Sequence, residues 1–541
     1  MKSLKRPGVL TGLLVGLMLT LAITVIFYVG WKVLGLPFVP FDIFDWMTRV
    51  LPGQVIASGI DAMVKVIRSL NLGPTATTAK LAEQGMAVGG MLFAGAIVGA
   101  IFFAVERALH GRNASVAGPV FGLAAGIPIM LLSLHLNKAP EIPPWISAIW
   151  ILLVFLAWGV AIARANQRLF ATAHITEDSA EQALVKRIDR RRFLVRLGGA
   201  TALITVTGAM VGRLSRTGAR QSAVQRESLW SSNHPLPNAD AEVKSVPGTR
   251  PEFTPLERHY RIDINTTPPT IDESQWRLKI KGLMEKPLEL TLNEIRSYEP
   301  MHQFITLACI SNPVGGDLIG TTRWTGVSLQ KLLPTWQLRP NATHLKIHGA
   351  DGFYEVVSLE TIKADERVML AYAWDGVPLL AEHGFPLRIY VPNTYGMKLP
   401  KWIESIEAID HWEPGYWVTR GWDKAAQMKA TSVIDTVGVN MNIVGADART
   451  VVPIGGIAHA GSRGISKVEV QVDDGPWQEA ALRKPLSKLT WVIWRYEWPF
   501  QRGKHTFTVR CFDGTGAMQS PIPTPMEPDG AAGLHSKTQM F

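Results

Sequence analysis

Cysteine is nearly absent from this chain of 541 residues, which holds two, Cys309 and Cys511, far apart in sequence. That scarcity excludes a disulfide framework, a zinc site built on paired cysteines and an iron–sulfur cluster, each of which needs several thiols. A P-loop and the aromatic signature of an RNA-binding domain are missing too. Charged side chains make up only 18% of the residues. The net charge of +10 does not argue for nucleic acid, because much of it flanks apolar segments, where it orients a membrane protein. Apolar residues are unevenly spread: residues 1–212 are largely apolar with basic punctuation, and the remainder reads as water-soluble protein rich in Trp and Pro.

Five apolar runs are long enough, or nearly so, to cross a hydrocarbon core of about 30 Å: Val9–Trp31, Met86–Val105, Val116–Leu136, Trp145–Ala163 and Leu197–Val211. Lys2, Lys5 and Arg6 precede the first; Arg107 and Arg112 lie between the second and third; a run from Arg164 to Arg196 separates the fourth and fifth, whereas the loop after the third carries only Lys138. These positions predict an inside N-terminus and a soluble half on the outer side of a bacterial cell membrane. The outer loop Lys32–Gly85 is predicted to hold an amphipathic helix near Gln54–Leu70. Arg190 and Arg191, followed after one residue by Phe193 and Leu194 and a modest apolar stretch, outline a twin-arginine export signal; the competing reading is an ordinary basic flank of a membrane helix. No A-x-A site follows, so an uncleaved anchor is expected. A bis-histidine haem needs two histidines at one depth. His110 and His135 lie near opposite faces and His174 in an inner loop, so no haem is expected in this chain. Glu106, at a helix end, is expected to be solvated.

Residues 213–255 are polar and aperiodic, as a tether would be. In residues 256–430, "WRLKIKGL", "FITLA", "THLKIHG" and "FPLRIYVP" read as strands and "SLQKLL" and "SLETIKA" as short helices; "LTLNEIRSY" reads as a strand end entering a helix with Asn293 near its start. Strands and helices mix without a βαβ rhythm, which predicts an α+β domain rather than a Rossmann fold. Residues 431–541 alternate as an all-β region, with Asp473-Asp474-Gly475 as a hairpin turn, and predict a seven-strand immunoglobulin-like sandwich. Cys511 falls on an inward strand position and reads as a buried small hydrophobe. Cys309 ends the strand "FITLA" and faces the loop "CISNPVGG". It can be an inert core thiol, a nucleophile without an evident base, or a ligand of a soft metal that lacks protein partners.

"TLACISNPVGGDLIGTTRWTGVSLQKLL", "HGADGFYEVVSLETIKADERVMLAYAWDGVPLLAEHGFPLRIYVPNTYGMKLPKWIESIE" and "GISKVEVQVDDGPW" resemble, in that order, the sulfite oxidase family of molybdenum enzymes, from about Pro255 to the end. The resemblance implies an α+β molybdopterin-binding domain followed by a dimerisation-type sandwich. It also implies a molybdenum–molybdopterin cofactor whose single protein ligand is a cysteine, here Cys309, the remaining sulfurs coming from the pyranopterin. Arg261, Asp263 and Asn265 in "HYRIDINTTPP" match a segment that wraps the pterin; Asp351, His383, Arg388 and Lys401 match residues that bind the pterin or its phosphate, with Lys398 as an additional candidate. A buried phosphate needs charge-assisted donors, which arginine and lysine supply.

The chain also departs from the pattern. Arginines that form a sulfite pocket close after the cysteine are replaced by "SNPVGG", and the active-site tyrosine aligns with Trp422; Arg420 and Arg323 are candidates for restoring positive charge. The cofactor is therefore better specified than the substrate. The expected activity is oxygen-atom transfer to or from a small substrate such as an S- or N-oxide or sulfite, with molybdenum cycling between Mo(VI) and Mo(IV). Electrons would pass to a separate carrier, a quinone or cytochrome, and the membrane helices would contact lipid. Alternatives are a sulfite dehydrogenase in the strict sense, or a non-catalytic membrane-tethered scaffold with a relict cofactor site.

Overall fold

A computed structural model describes residues 8–108, 114–136, 142–171, 180–214, 229–439, 443–444 and 450–541. The candidate haem residues His110 and His174 lie outside this set. The chain divides into two compact units: Met1–Leu51, Lys80–Ser222 and Asn265–Thr270 form the first, and Pro52–Ala79, Ala223–Ile264 and Ile271–Phe541 the second.

Among the described residues the β-rich region is preceded by the helices α1 (Val9–Leu34), α2 (Val39–Val50), α3 (Gly53–Ser69), α4 (Thr75–Ala108), α5 (Ala114–Leu136), α6 (Pro144–Ala171) and α7 (Ala180–Leu214). Five segments, Val9–Leu34, Thr75–Ala108, Val116–Leu136, Pro144–Leu169 and Arg191–Val211, are long and apolar enough to cross a membrane. They coincide with the five apolar runs, and most extend beyond them because helix continues through the flanking polar turns. Close helix contact rests on small residues. A Cβ at Gly12 or Gly16 of α1 would come within 2.7 Å or 2.5 Å of the α4 backbone at Gly99 or Gly95, and one at Gly159 of α6 within 2.2 Å of Gly118 of α5. This small-xxx-small packing lets the helix backbones approach closely. Phe27, Phe103, Ile151 and Ile162 fill the core between them. Glu106 departs from expectation: it is 1% exposed, and neither carboxylate oxygen has a hydrogen-bond partner among the described residues. It lies one turn from the buried Phe102 and Phe103, so the helical period carries it inward rather than to solvent.

In the second unit, residues 229–255 do not hang free as a tether would. Arg250 is paired with Asp435 at 2.7 Å and Arg483 with Glu252 at 2.9 Å. Residues 256–430 hold β1 (Leu278–Gly282), β2 (Leu288–Leu290), β3 (Met301–Ala308), β4 (Ile319–Ser328), β5 (His344–Gly349), β6 (Tyr354–Ser358), β7 (Met369–Trp374), β8 (Val377–Pro378), β9 (Arg388–Tyr390) and β10 (Ile403–Ile409). One sheet has the order β2-β1-β10-β5-β6, with β1 and β10 parallel; the other has β3-β4-β7-β8, with β9 also on β7. Short helices lie between these strands, so the region is α+β. The helix Leu292–Ser297 starts at a capping box, with Thr291 accepting from the Glu294 N–H and Glu294 reaching back to Thr291. Thr291 is thus the cap, because its hydroxyl reaches the N3 amide, and Asn293 stands near the helix start as expected. One apolar core containing Trp324, Trp336, Trp374, Ile305 and Ile347 fills the interior.

The last part contains β11 (Thr431–Val437), β12 (Ile443–Val444), β13 (Thr450–His459), β14 (Ile465–Val472), β15 (Gln478–Glu479), β16 (Ala481–Leu482), β17 (Val492–Pro499), β18 (Lys504–Asp513) and β19 (His535–Met540). These make two antiparallel sheets, β11-β13-β17-β16 with β12 on β13, and β15-β14-β18-β19. Asp473 takes φ +52° in the turn between β14 and β15. Cys511 is fully buried in β18 with Trp494, Val470 and Phe507, as an inward alternating position requires.

Candidate active site

β3 is paired along its length with β4 and leaves its sheet at Cys309. The intervening loop is tightly built. The Cys309 N–H donates to the Leu318 carbonyl at 3.0 Å, the Leu318 N–H to Asn312 Oδ1 at 2.9 Å, and the Gly316 N–H to the Pro313 carbonyl at 2.8 Å. A Cβ at Gly316 would stand 2.3 Å from Asn312 Oδ1, so glycine is needed there for the turn to close. The loop after Cys309 is therefore a closed, internally hydrogen-bonded turn. The thiol is 8% exposed, 3.0 Å from Ser311 Oγ, and burial raises its pKa. Left to itself it stays protonated, and a cation in contact with sulfur would be required to hold the thiolate.

Tyr260 packs against the Cys309 cluster and also lies within electrostatic reach of Arg388. Arg388 opens β9. It is 3% exposed, with its guanidinium 4.7 Å and 4.9 Å from the ring centres of Trp324 and Trp374. It donates to the His383 carbonyl at 2.9 Å, while its Nε has no partner. No carboxylate pairs with it among the described residues, and burial lowers its pKa to about 9. Two buried imidazoles stand beside it: His259 is 4.6 Å and His383 4.8 Å from the Trp374 ring, and they are 5.5 Å from each other. Burial pushes His259 down to about 3 and His383 well below its ordinary range, so both are neutral near pH 7.

Lys401 adjoins this group. A Cβ on Gly384, at φ +109°, would meet the Cβ atoms of Lys401 at 3.0 Å and Arg388 at 3.3 Å. The ammonium donates to Asp263 Oδ2 at 3.3 Å and to the Glu382 carbonyl at 3.1 Å, and Arg261 Nε donates to the same Asp263 oxygen at 2.6 Å. Burial outweighs the pull of Asp263 and lowers Lys401 to about 8. Asp351 is buried, bound to the Phe353 N–H at 3.0 Å, and faces the Lys401 backbone across Gly349. The fold thus gathers Arg261, Asp263, Asp351, His383, Arg388 and Lys401.

Two candidates, Lys398 and Trp422, are engaged elsewhere in the second unit, and a third, Asn265, is not part of that unit. Lys398 is paired with the buried Glu355 at 2.7 Å. Asn265 belongs to the first unit, where its Oδ1 accepts from Arg49 at 2.9 Å and its carbonyl from Lys80 at 2.9 Å. Trp422 is 7% exposed in an apolar cluster with Ala308, Ile310 and Tyr395, its Nε1 unpartnered; it therefore flanks the residues on either side of Cys309. Arg323 covers the Trp230 ring at 4.8 Å and Arg420 the Tyr416 ring at 3.6 Å. Instead Arg250, from residues 229–255, reaches the loop, donating to the Gly316 carbonyl at 3.3 Å. With Lys429 it lines a small cleft of about 30 Å³ beside Asn312, Ala308 and Tyr395. Both cations are neutralised, Arg250 by Asp435 and Lys429 by Asp529. Sequence reasoning overlooked His259, Tyr260, Trp324 and Trp374; the pair His259-Tyr260 directly before Arg261 was the available signal.

These residues fit a molybdopterin. Arg388 is a buried cation with an unpartnered Nε and no carboxylate beside it among the described residues, so it has a donor to give a phosphate. Among the described residues no group of three or more His, Cys, Asp or Glu could hold a metal ion. A metal at Cys309 would take its other ligands from a cofactor.

Residues 265–417 match the family model described as oxidoreductase molybdopterin binding domain. The chain is 27% identical over 286 residues to mitochondrial sulfite oxidase of Macaca fascicularis, covering 45% of this chain and 52% of that protein. It is 26% identical over 303 residues to the NAD(P)H nitrate reductase of Hordeum vulgare, covering 45% and 34%. The structure of the sulfane dehydrogenase SoxCD from Paracoccus pantotrophus aligns at 20% identity with a TM-score of 0.46, covering 55% of this chain and 86% of that one. The chain spans about half the length of the mitochondrial sulfite oxidases it matches. Residues 265–417 thus carry a molybdopterin-binding oxidoreductase domain, and through it the chain is similar to sulfite oxidases and nitrate reductases.

Proposed function

We propose that this chain is a membrane-anchored molybdopterin-dependent oxidoreductase that transfers an oxygen atom to or from a small substrate on the outer side of a bacterial inner membrane. The observation that carries this reading is the buried Arg388, which lacks a carboxylate partner and lies near Lys401 in the unit that presents Cys309 from a strand end. When bound, the cofactor supplies two-electron oxygen-atom exchange at molybdenum. Cys309 offers its sulfur as the protein ligand. Arg388 and Lys401 take the phosphate, with Arg261 and Asp263 holding Lys401 in place and Asp351 accepting from pterin N–H groups. Neutral His383 and His259 add no repulsion to Arg388 and present ring nitrogens to the pterin. Lys398, engaged by Glu355, supports the site through the element it anchors. Trp422 lines the apolar side and keeps water from the reacting atoms.

The five apolar helices and the basic residues on one side of them support the anchoring and orientation, with α7 carrying the twin-arginine-like segment. The β-sandwich is read as immunoglobulin-like, and a separate quinone or cytochrome as the electron carrier. The full chain, purified from a molybdenum-replete host, should carry about one molybdenum and one pterin per chain and oxidise a reduced dye when given an S- or N-oxide. Protein devoid of both molybdenum and pterin would sink the reading. Turnover with sulfite alone would replace it by a sulfite dehydrogenase.

A further inference from the structure

The segment between α1 and the bulk of α4 is not merely a loop of the helical part: residues Pro52–Ala79 belong to the second unit. Its contacts there fall near the two residues singled out for chemistry. At one end, Gly53 approaches Arg420 so closely that a Cβ would stand 2.6 Å from the Arg420 Cα; Arg420 is two residues from Trp422. At the other end, the Thr75 N–H donates to the Asp317 carboxylate at 2.7 Å, which satisfies one of the free amides of the first turn of α4. The next residue, Ala76, forms a buried apolar cluster with Cys309 and Leu318, against which Tyr260 and Ile262 pack. Thr75 and Ala76 are 3% and 6% exposed. Between the two ends, α3 buries Val64 and Ile67 and leaves Val55 and Val66 exposed. Alanine contributes a single methyl beside the thiol, and a larger side chain there would occupy the space next to Sγ.

We propose that residues 52–79 form a wall of the site at Cys309 and that Ala76 is a specificity-determining residue, its methyl setting the room a substrate has beside the cysteine. Asp317 is then a positioning residue, which holds Ala76 in place through the Thr75 amide. The lining of Ala76, Leu318 and Ile262 is apolar, so the wall selects a compact, uncharged oxide with short substituents. This inference rests on the assignment of Cys309 made above.

The test uses the full chain with Cys511→Ser, which leaves Cys309 as the single thiol, prepared without cofactor. Its rates of reaction with the small reagent iodoacetamide and the bulky N-phenylmaleimide are followed by mass spectrometry. Ala76→Leu should slow N-phenylmaleimide at least tenfold relative to iodoacetamide, Ala76→Gly should narrow the difference between the two reagents, and Asp317→Ala should speed both at least tenfold. Near-UV circular dichroism identifies variants that keep the parent fold; Ala76→Gly, which adds no volume, decides the matter if the leucine variant does not fold. Rates unchanged across the folded variants would overturn the proposal. In loaded protein, Ala76→Leu should raise the KM of methyl phenyl sulfoxide relative to dimethyl sulfoxide about tenfold, and an unchanged ratio would also count against it. A loaded parent that reduces neither sulfoxide would remove the oxygen-transfer reading, while the thiol rates would still decide whether the wall exists.

Discussion

Replacing Arg388 with methionine should move the cofactor-free and the cofactor-loaded protein in opposite directions. Without an anion, Arg388 is a buried cation whose pKa has fallen from 12.5 to about 9, which corresponds to roughly 5 kcal/mol of lost solvation. Its two tryptophan contacts return about 1 kcal/mol each, and its hydrogen bond to the His383 carbonyl about 1 kcal/mol. Methionine has a similar length, packs against the same rings and carries no charge. The cofactor-free variant should therefore gain about 1–2 kcal/mol, a rise in Tm of a few degrees at roughly 2–4 °C per kcal/mol. In the loaded protein the same change removes charge-assisted hydrogen bonds to the phosphate, worth about 1.5–3 kcal/mol, so the cofactor should dissociate roughly 10- to 100-fold more readily. Thermal melts of both forms, with pterin fluorescence measured after gel filtration, test both halves. A cofactor-free variant that melts lower, with pterin content unchanged, would show that Arg388 is a packing residue and refute the anion assignment.

Cys309→Ser should abolish oxygen-atom transfer and leave the melting of the cofactor-free protein within about 1 kcal/mol of the parent, since the two side chains differ by one atom; retained turnover would remove the ligand assignment. Lys398→Met should cost about 3–5 kcal/mol, because it strands the buried Glu355 carboxylate. Adding Glu355→Gln should recover most of that loss, and a purely additive double variant would contradict the pairing. His459 is buried and held at about 4, below its ordinary 6.5, by loss of solvation. The unfolded chain therefore binds the proton first, and the stability this contributes is complete above pH 6.5 and falls by about 3 kcal/mol as pH drops through 6.5 toward 4. Denaturant titrations at pH 7 and pH 4.5 should show that loss reduced in His459→Gln, and an identical pH dependence would refute it.

Elements with a strong local signal were legible in advance. The five apolar spans matched because a bilayer imposes a length that composition alone can meet, and the strand ending at Cys309 matched because alternation and a glycine-bearing loop bounded it. Thr291 illustrates the limit of such signals. Its role as the cap follows from the geometry at Glu294 three positions on, whereas the sequence placed only Asn293 near the helix start, where it is found. Glu106 was misjudged because position near a helix end does not decide which way a side chain faces; a difference of one residue turns it by about 100°.

The sequence by itself determined the membrane-length helices, the α+β and all-β regions, and the set of residue types able to hold a phosphate and a metal, because those depend on composition, period and local spacing. The tertiary structure decided which of those residues meet. It placed Arg388 between two tryptophans without a carboxylate, gave Lys398 to Glu355, and brought Ala76 against Cys309 from a segment more than two hundred positions away. Such contacts follow from how sheets and loops close on one core. Burial then sets the charge states, lowering Arg388 and Lys401 and keeping His259 and His383 neutral. Neither contact partners nor solvent exclusion can be read from residues taken one at a time.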